Sequence, residues 1–282
     1  MGGNDQQAYD RGTSLFSPDG RIYQVEYARE AVSRGAPSVG VRTTDGVVFV
    51  AMSRPSSSLM EAESIEKLHK LDDHLGTASA GHVADARQLI DLARRQSQGN
   101  RLRYGEPVGV ETLTKFVTDH IQENTQRGGT RPYGAALLIG GIDNGEPRLF
   151  AADPSGTPNE WKATVIGGGR QEIQGHLEEE WHDDLSLEDG IELAVAALAA
   201  HDDEFEASDL AVATVTEADG FRTVPVEEVE AAFEAAGLST DGEDDADDDE
   251  SEADDADDDE SEADDADDDE SEADDADGDD AE

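Results

Sequence analysis

The chain has 282 residues, 70 Asp and Glu against 20 Lys and Arg, and a net charge of −50. With no cysteine it has no disulfide framework, no thiol nucleophile and no thiolate metal site. Its acidity argues against nucleic-acid binding, which requires positive charge for phosphates, and no apolar run approaches the ~20 residues of a membrane span.

The polar start MGGNDQQAYDRG lacks the apolar core of a signal peptide, so a soluble, cytoplasmic protein is expected. PDGRIYQVEYAREAVSRG then reads as a turn leading into a helix. Asp19 is placed to cap it, Tyr23, Tyr27, Ala31 and Val32 recur at helical spacing, and Gly35 marks its end. SVGVRTT and VVFVAM flank Asp45-Gly46, a pair that supplies positive φ for a tight hairpin. KLHKLDD and LGTASAG form a second strand pair.

Two helices follow. The first places Val83, Ala86, Leu89, Ile90 and Ala93 on one face, and the second Leu113, Phe116, Val117 and Ile121. GAALLIGGID, PRLFAADP and EWKATVIGG read as strands, parted by turns at Asn144-Gly145 and Ser155-Gly156. Helices are expected from Arg170 to Trp181 and from Leu187 to His201. A hairpin turning at Asp219-Gly220 and the amphipathic VEEVEAAFEAAG complete the body. Strands joined by hairpins and interrupted by helix pairs imply mostly antiparallel sheets, two of them stacked, with helix layers outside. Runs apolar on both faces, such as VVFVAM and AALLIGG, agree with sheets buried on both sides.

From residue 239 onward the composition changes. The unit DDADDDESEA occurs three times and the stretch from Asp241 holds 29 acidic residues, no basic ones and no apolar side chain larger than Ala. Such a segment cannot bury enough surface to offset its ordering entropy, so residues 239–282 are expected to be disordered. The body keeps 41 acidic residues against 20 basic ones. That excess fits a protein hydrated in high salt, where self-repulsion is screened; selection of a partner is the alternative.

Signatures of chemistry are few. GxxxxGK[ST], GxSxG, HExxH and paired CxxC are all absent. Gly167-Gly168-Gly169 sits between strand and helix but lacks a dinucleotide fingerprint, and reads as a structural turn. His69 with His74, and His176 with His182, miss the i, i+4 spacing of helical metal ligands, and Asp72-Asp73 and Asp183-Asp184 read as turn and cap residues. Trp161 and Trp181 read as core. No cofactor is expected.

At Tyr9–Val32 the run YDRGTSLFSPDGRIYQVEYAREAV resembles, nearly residue for residue, the amino-terminal signature of archaeal proteasome α subunits. The likeness continues through SIEKLHKLDDHLG, SAGHVADAR, GGTRPYGAALLIGGID, PRLFAADPSGT and KATVIGGG. It implies an α/β fold, the four-layer α/β/β/α sandwich of amino-terminal-nucleophile hydrolases, with an extra amino-terminal helix. Residues 1–12 are then a gate segment, 13–238 the α-type domain and 239–282 the acidic tail.

Active β subunits of that family begin with a threonine whose own amine serves as base. Alignment by eye puts Ala36 at the nucleophile position and Met52 at the assisting carboxylate, and only Lys67 matches. The resemblance therefore implies a non-catalytic subunit. Seven copies, with or without a paralogous α subunit, form a ring stacked on proteasome β subunits and docked by an AAA-type regulatory ATPase. It further implies that Tyr9, Asp10, Arg11, Pro18 and Tyr27 form the gate. Lys67, Gly81 and Glu26 belong to a docking pocket between neighbouring subunits, in which Lys67 pairs with an incoming carboxylate. Arg127, Gly128 and Gly129 stand where the family often has Tyr-Gly-Gly at the pore annulus. Seven arginines there make a positive constriction that favours acidic unfolded chains. The acidic tail lies outside the family pattern; it is a solubility device, a docking arm or without specific role.

Overall fold

A computed structural model describes residues 16–55, 57, 59–61, 64–127, 129–202 and 204–238. Helix α1 (Tyr23–Ser33) precedes the hairpin β1 (Ser38–Arg42) and β2 (Gly46–Met52), then β3 (Leu68–Asp72) and β4 (Leu75–Gly81). Helices α2 (Val83–Tyr104) and α3 (Val110–Gln126) come next, followed by β5 (Ala135–Asp143), β6 (Glu146–Ala152), β7 (Pro158–Glu160) and β8 (Ala163–Ile166). The body closes with α4 (Arg170–Glu180), α5 (Leu187–Ala199), β9 (Leu210–Thr216), β10 (Gly220–Thr223) and α6 (Val226–Ala235).

The strands make two five-stranded antiparallel sheets, ordered β10-β9-β2-β1-β8 and β3-β4-β5-β6-β7. Three apolar cores separate four layers. Val41, Val50, Leu193 and Leu198 fill the space between the first sheet and α4–α6. Leu89, Ile90, Leu113 and Ile121 join the second sheet to α2 and α3. Phe49, Leu138, Leu149 and Val215 lie between the sheets. The α/β/β/α sandwich with its extra helix is thus the observed fold, and β2, buried along its whole length, sits at its centre.

Several local expectations change. EWKATVIGG is not one strand: β7 pairs with β6 in one sheet and β8 with β1 in the other. The chain crosses at Trp161-Lys162, where Trp161 N donates to Leu149 O (2.9 Å) and Lys162 O accepts from Arg42 N (2.8 Å). The β1–β2 turn contains no positive φ. Thr43 closes it instead, its N–H and hydroxyl both donating to Gly46 O. Gly46 is required because a Cβ there would strike Val215 O on β9. Asn144 and Gly145 do both adopt positive φ, as their turn demands.

Helix α1 buries Val25, Ala28 and Val32 rather than its tyrosines, and Tyr27 is 50% exposed. The seat is narrow: a Cβ on Gly35 would lie 2.6 Å from Gly81 N, so only small side chains face inward. Val83 and Phe116 likewise turn outward, at the edges of the faces they were expected to fill. Asp19 does not cap α1, whose N-cap position is Ile22 without a side-chain bond. It accepts from the Ser17 hydroxyl (2.7 Å) and pairs with Arg21 (3.3 Å) inside the preceding turn.

Candidate functional site

The pairing of β1 with β2 sets Ser38 opposite Ala51, which brings Ala36 and Met52 to the same end of the sheet. Lys67, one residue before β3, reaches this point from the other sheet. Its ammonium donates to Ala36 O at 2.6 Å, Met52 O at 3.0 Å and Pro37 O at 3.4 Å. Two of these are short hydrogen bonds and the third is long, so one of the three ammonium donors is only weakly engaged. Burial pushes the amine down to about 8. Where Ala36 stands there is no hydroxyl, and where Met52 stands there is no carboxylate. The three residues aligned from sequence do meet, and together they form a cation cradle rather than a nucleophile with its base.

Gly81 ends β4 at a φ of 95°, and a Cβ there would collide with Gly134 O. It touches the α1 seat, and Lys67 O accepts from Ser79 N two residues earlier on the same strand (3.0 Å). Glu26 lies on α1 and accepts from Arg29 (2.8 Å). Arg29 also forks onto Asp153 through Nε (3.0 Å) and Nη2 (2.7 Å). Burial disfavours the Arg29 charge, but Asp153 and Glu26 outweigh it and hold the guanidinium above its ordinary value. This triad pins α1 to the loop after β6. It borders a cavity of about 390 Å³ lined also by Val32, Trp161 and Arg170. Neither Lys67 nor Gly81 is among the described residues of that lining. Within one chain, then, Lys67 is hydrogen-bonded to Ser79, two residues before Gly81 on the same strand, while Glu26 faces a cavity of its own.

Ser17-Pro18-Asp19-Gly20 is a reverse turn closed by Gly20 N to Ser17 O (2.8 Å), with Gly20 at φ 79°. Pro18 sits at its second position, where a fixed φ is favourable. Tyr27 lies on the outer side of α1. Tyr9, Asp10 and Arg11 lie outside the described residues, as does Gly128.

Arg127 follows α3 directly, with an extended backbone and a side chain 67% exposed, 3.5 Å from Glu123. Gly129 adopts a φ of 85°. The Thr130 hydroxyl donates to Asn124 O (3.0 Å) and Arg127 O (2.9 Å). Beyond it, Arg131 grips Asp85 at the start of α2 with both terminal nitrogens, and Gly134 N donates to the same carboxylate (2.8 Å). Burial pushes the Asp85 carboxyl up, yet the bonds from Arg131 and Gly134 prevail and hold it below its ordinary value.

The remaining sequence candidates serve structure. His74 Nε2 meets Val108 O at 2.8 Å, and His69 is buried beside Glu66. No three potential metal ligands cluster among the described residues. Gly168 N donates to Gly35 O (2.8 Å), and Gly169 lies against the His201 ring. Arg29, Asp85, Arg131 and Asp153 all lie in runs that carry the family resemblance, but no sequence pattern shows that they pair. Their partners are 124 and 46 positions away in the chain, so no local spacing exposes them.

A profile described as proteasome subunit matches residues 32–215, and a second, for the N-terminal signature of A-type proteasome subunits, matches residues 9–31. Proteasome subunit alpha 2 of Haloferax volcanii is 64% identical over 252 residues, covering 89% of this chain and 100% of the relative. Proteasome subunit alpha of Natronomonas pharaonis is 60% identical over 255 residues, covering 89% and 100%. Proteasome subunit alpha of Halobacterium salinarum is 65% identical over 198 residues, covering 70% and 78%. All three organisms are halophilic archaea.

Proposed function

Because the chain belongs to the proteasome subunit family as an α-type member, we propose that it is a non-catalytic subunit whose seven-membered rings gate substrate access and dock a regulatory ATPase. The observation that carries this reading is the strand end at Ala36, Met52 and Lys67. Amino-terminal-nucleophile catalysis needs a hydroxyl and a free amine on one residue. Here alanine occupies the position, inside the chain, and the lysine ammonium faces backbone carbonyls with no hydroxyl beside it to activate. Peptide cleavage in the assembled particle therefore falls to β subunits.

The gate is built on Tyr9, Asp10 and Arg11, with Pro18 and Tyr27 as its rigid base; the closed turn at Ser17–Gly20 supports that role for Pro18. Docking uses Lys67 as a point charge for a terminal carboxylate, with Gly81 and Glu26 beside it across neighbouring subunits. The Glu26–Arg29–Asp153 cavity supports a receptive surface along α1. Arg127, Gly128 and Gly129 line the pore, where a ring of arginines favours acidic chains. No helix among the described residues is long and apolar enough to cross a membrane. The particle works in the cytoplasm.

Co-expression with a β-type subunit that carries an amino-terminal threonine tests the assignment. The two chains should co-purify as a particle of stacked rings, and native mass should give seven copies of this chain per outer ring. A chain that binds unfolded clients but is missing from the mature particle would refute it.

A further inference from the structure

Resting on the reading of Arg127–Gly129 as pore lining, we propose that Asp85 and Arg131 are positioning residues that clamp this loop and hold Arg127 at the pore. The loop's described residues are 127 and 129–134, between the end of α3 and the start of β5. Its first half is tied to α3 by the Thr130 hydroxyl. Its second half is tied to α2 by Asp85, whose carboxylate takes both Arg131 nitrogens and Gly134 N. His82 N donates to Gly134 O (2.8 Å), so the same strand–helix junction grips the loop twice.

The magnitudes separate these contacts. The Arg127–Glu123 pair is long and exposed on both sides, at 67% and 58%, and such pairs contribute little. The position of Arg127 is therefore set by the backbone. The Asp85 side chain is only 5% exposed, and its partner makes a forked, charge-assisted contact. Removing Arg131 leaves the Asp85 charge poorly compensated, whereas Arg131, 63% exposed, stays hydrated when Asp85 is removed and the loop loses only its anchor. Of the side-chain contacts that hold the loop, this pair is the strongest.

The chain has no cysteine, so Arg127→Cys provides a unique site for a nitroxide label. In the full chain, Asp85→Asn should sharpen the label's spectrum, while Asp91→Asn, which removes an exposed pair on the same helix, should not. Arg131→Lys keeps the charge, loses the fork and serves as a second variant should Asp85→Asn fail to fold. The functional arm uses particles assembled with a β subunit and lacking residues 2–12, without the label. There, Asp85→Asn should lower the ratio of acidic to neutral unfolded-chain degradation by about threefold, as charge steering acts on rates. Arg127→Gln should lower it at least as much. Tetrapeptide hydrolysis by the Asp85→Asn particle should not change, and Asp85→Glu should restore part of the ratio. An unchanged label spectrum in folded Asp85→Asn and Arg131→Lys overturns the clamp. A mobile label with an unchanged ratio in both Asp85→Asn and Arg127→Gln overturns instead the pore-lining premise.

Discussion

Lys67 offers a prediction with a defined pH signature. Its amine is held at about 8 by burial, so about nine-tenths of it is charged at pH 7 and about one-tenth at pH 9. If a terminal carboxylate binds only the ammonium, apparent affinity should fall roughly tenfold between those values, or ~1.4 kcal/mol. The fall levels off where the bound lysine itself titrates. The incoming carboxylate has a contact to displace, since the bond to Pro37 O is the longest of the three at 3.4 Å. The sign is opposite for folding. Between about 8 and the ordinary lysine value of 10.5 the unfolded chain binds more protons, so this group's contribution makes the fold more stable as pH rises. Loss of docking above pH 8 is thus not a consequence of this lysine weakening the fold.

The assay is stimulation of peptide hydrolysis in the assembled particle by a synthetic peptide bearing the docking ATPase's carboxy-terminal sequence. An amidated version of the peptide serves as control. Wild type should need about ten times more free-acid peptide at pH 9 than at pH 7, and Lys67→Arg, charged at both values, should need the same. Equal pH slopes in wild type and Lys67→Arg would refute the role of the lysine charge, as would an amidated peptide of equal potency.

Three further outcomes follow from the fold and the proposed gate. Deleting residues 2–12 should raise hydrolysis of long substrates without changing that of tetrapeptides; unchanged rates for both would count against the gate. Phe49 is fully buried between the sheets, 3.0 Å from where a Cβ on Gly140 would lie. Phe49→Ala should cost about 3–5 kcal/mol in urea unfolding, and a loss below about 1 kcal/mol would contradict the inter-sheet core. Arg127→Tyr should narrow the difference in degradation rate between acidic and neutral unfolded chains, and equal rates in both particles would remove charge from the pore's selectivity.

The layers are legible in the sequence because the signals involved are local. Asn144-Gly145 announces a hairpin through the φ each residue must adopt, and the strands flanking it form as expected. Alternation of strand and helix runs implies the sandwich without knowledge of any contact. Signals that depend on distant neighbours are not legible. EWKATVIGG is apolar enough for one strand, but Trp161 and Lys162 bond to strands of different sheets. Tyr23 and Tyr27 have helical spacing, yet α1 buries Val25, Ala28 and Val32, with Val32 set against the close approach of Gly35 and Gly81. Gly46 looks like a turn residue and is instead a concession to the strand beside it. Lys67 stands out by its motif, whereas its three carbonyl partners follow only from bringing the two sheets together. Asp85 and Arg131 each lie in a run that carries the family resemblance, yet their pairing is tertiary and no local spacing reveals it.

The claim that catalysis does not reside in this chain is tested most directly by treating the assembled particle with an epoxyketone that reacts with amino-terminal threonines, then weighing each subunit intact. The β subunit alone should carry the adduct, with this chain at its unmodified mass and peptide hydrolysis abolished. An adduct on this chain, or peptidase activity from this chain purified without a β subunit, would contradict it.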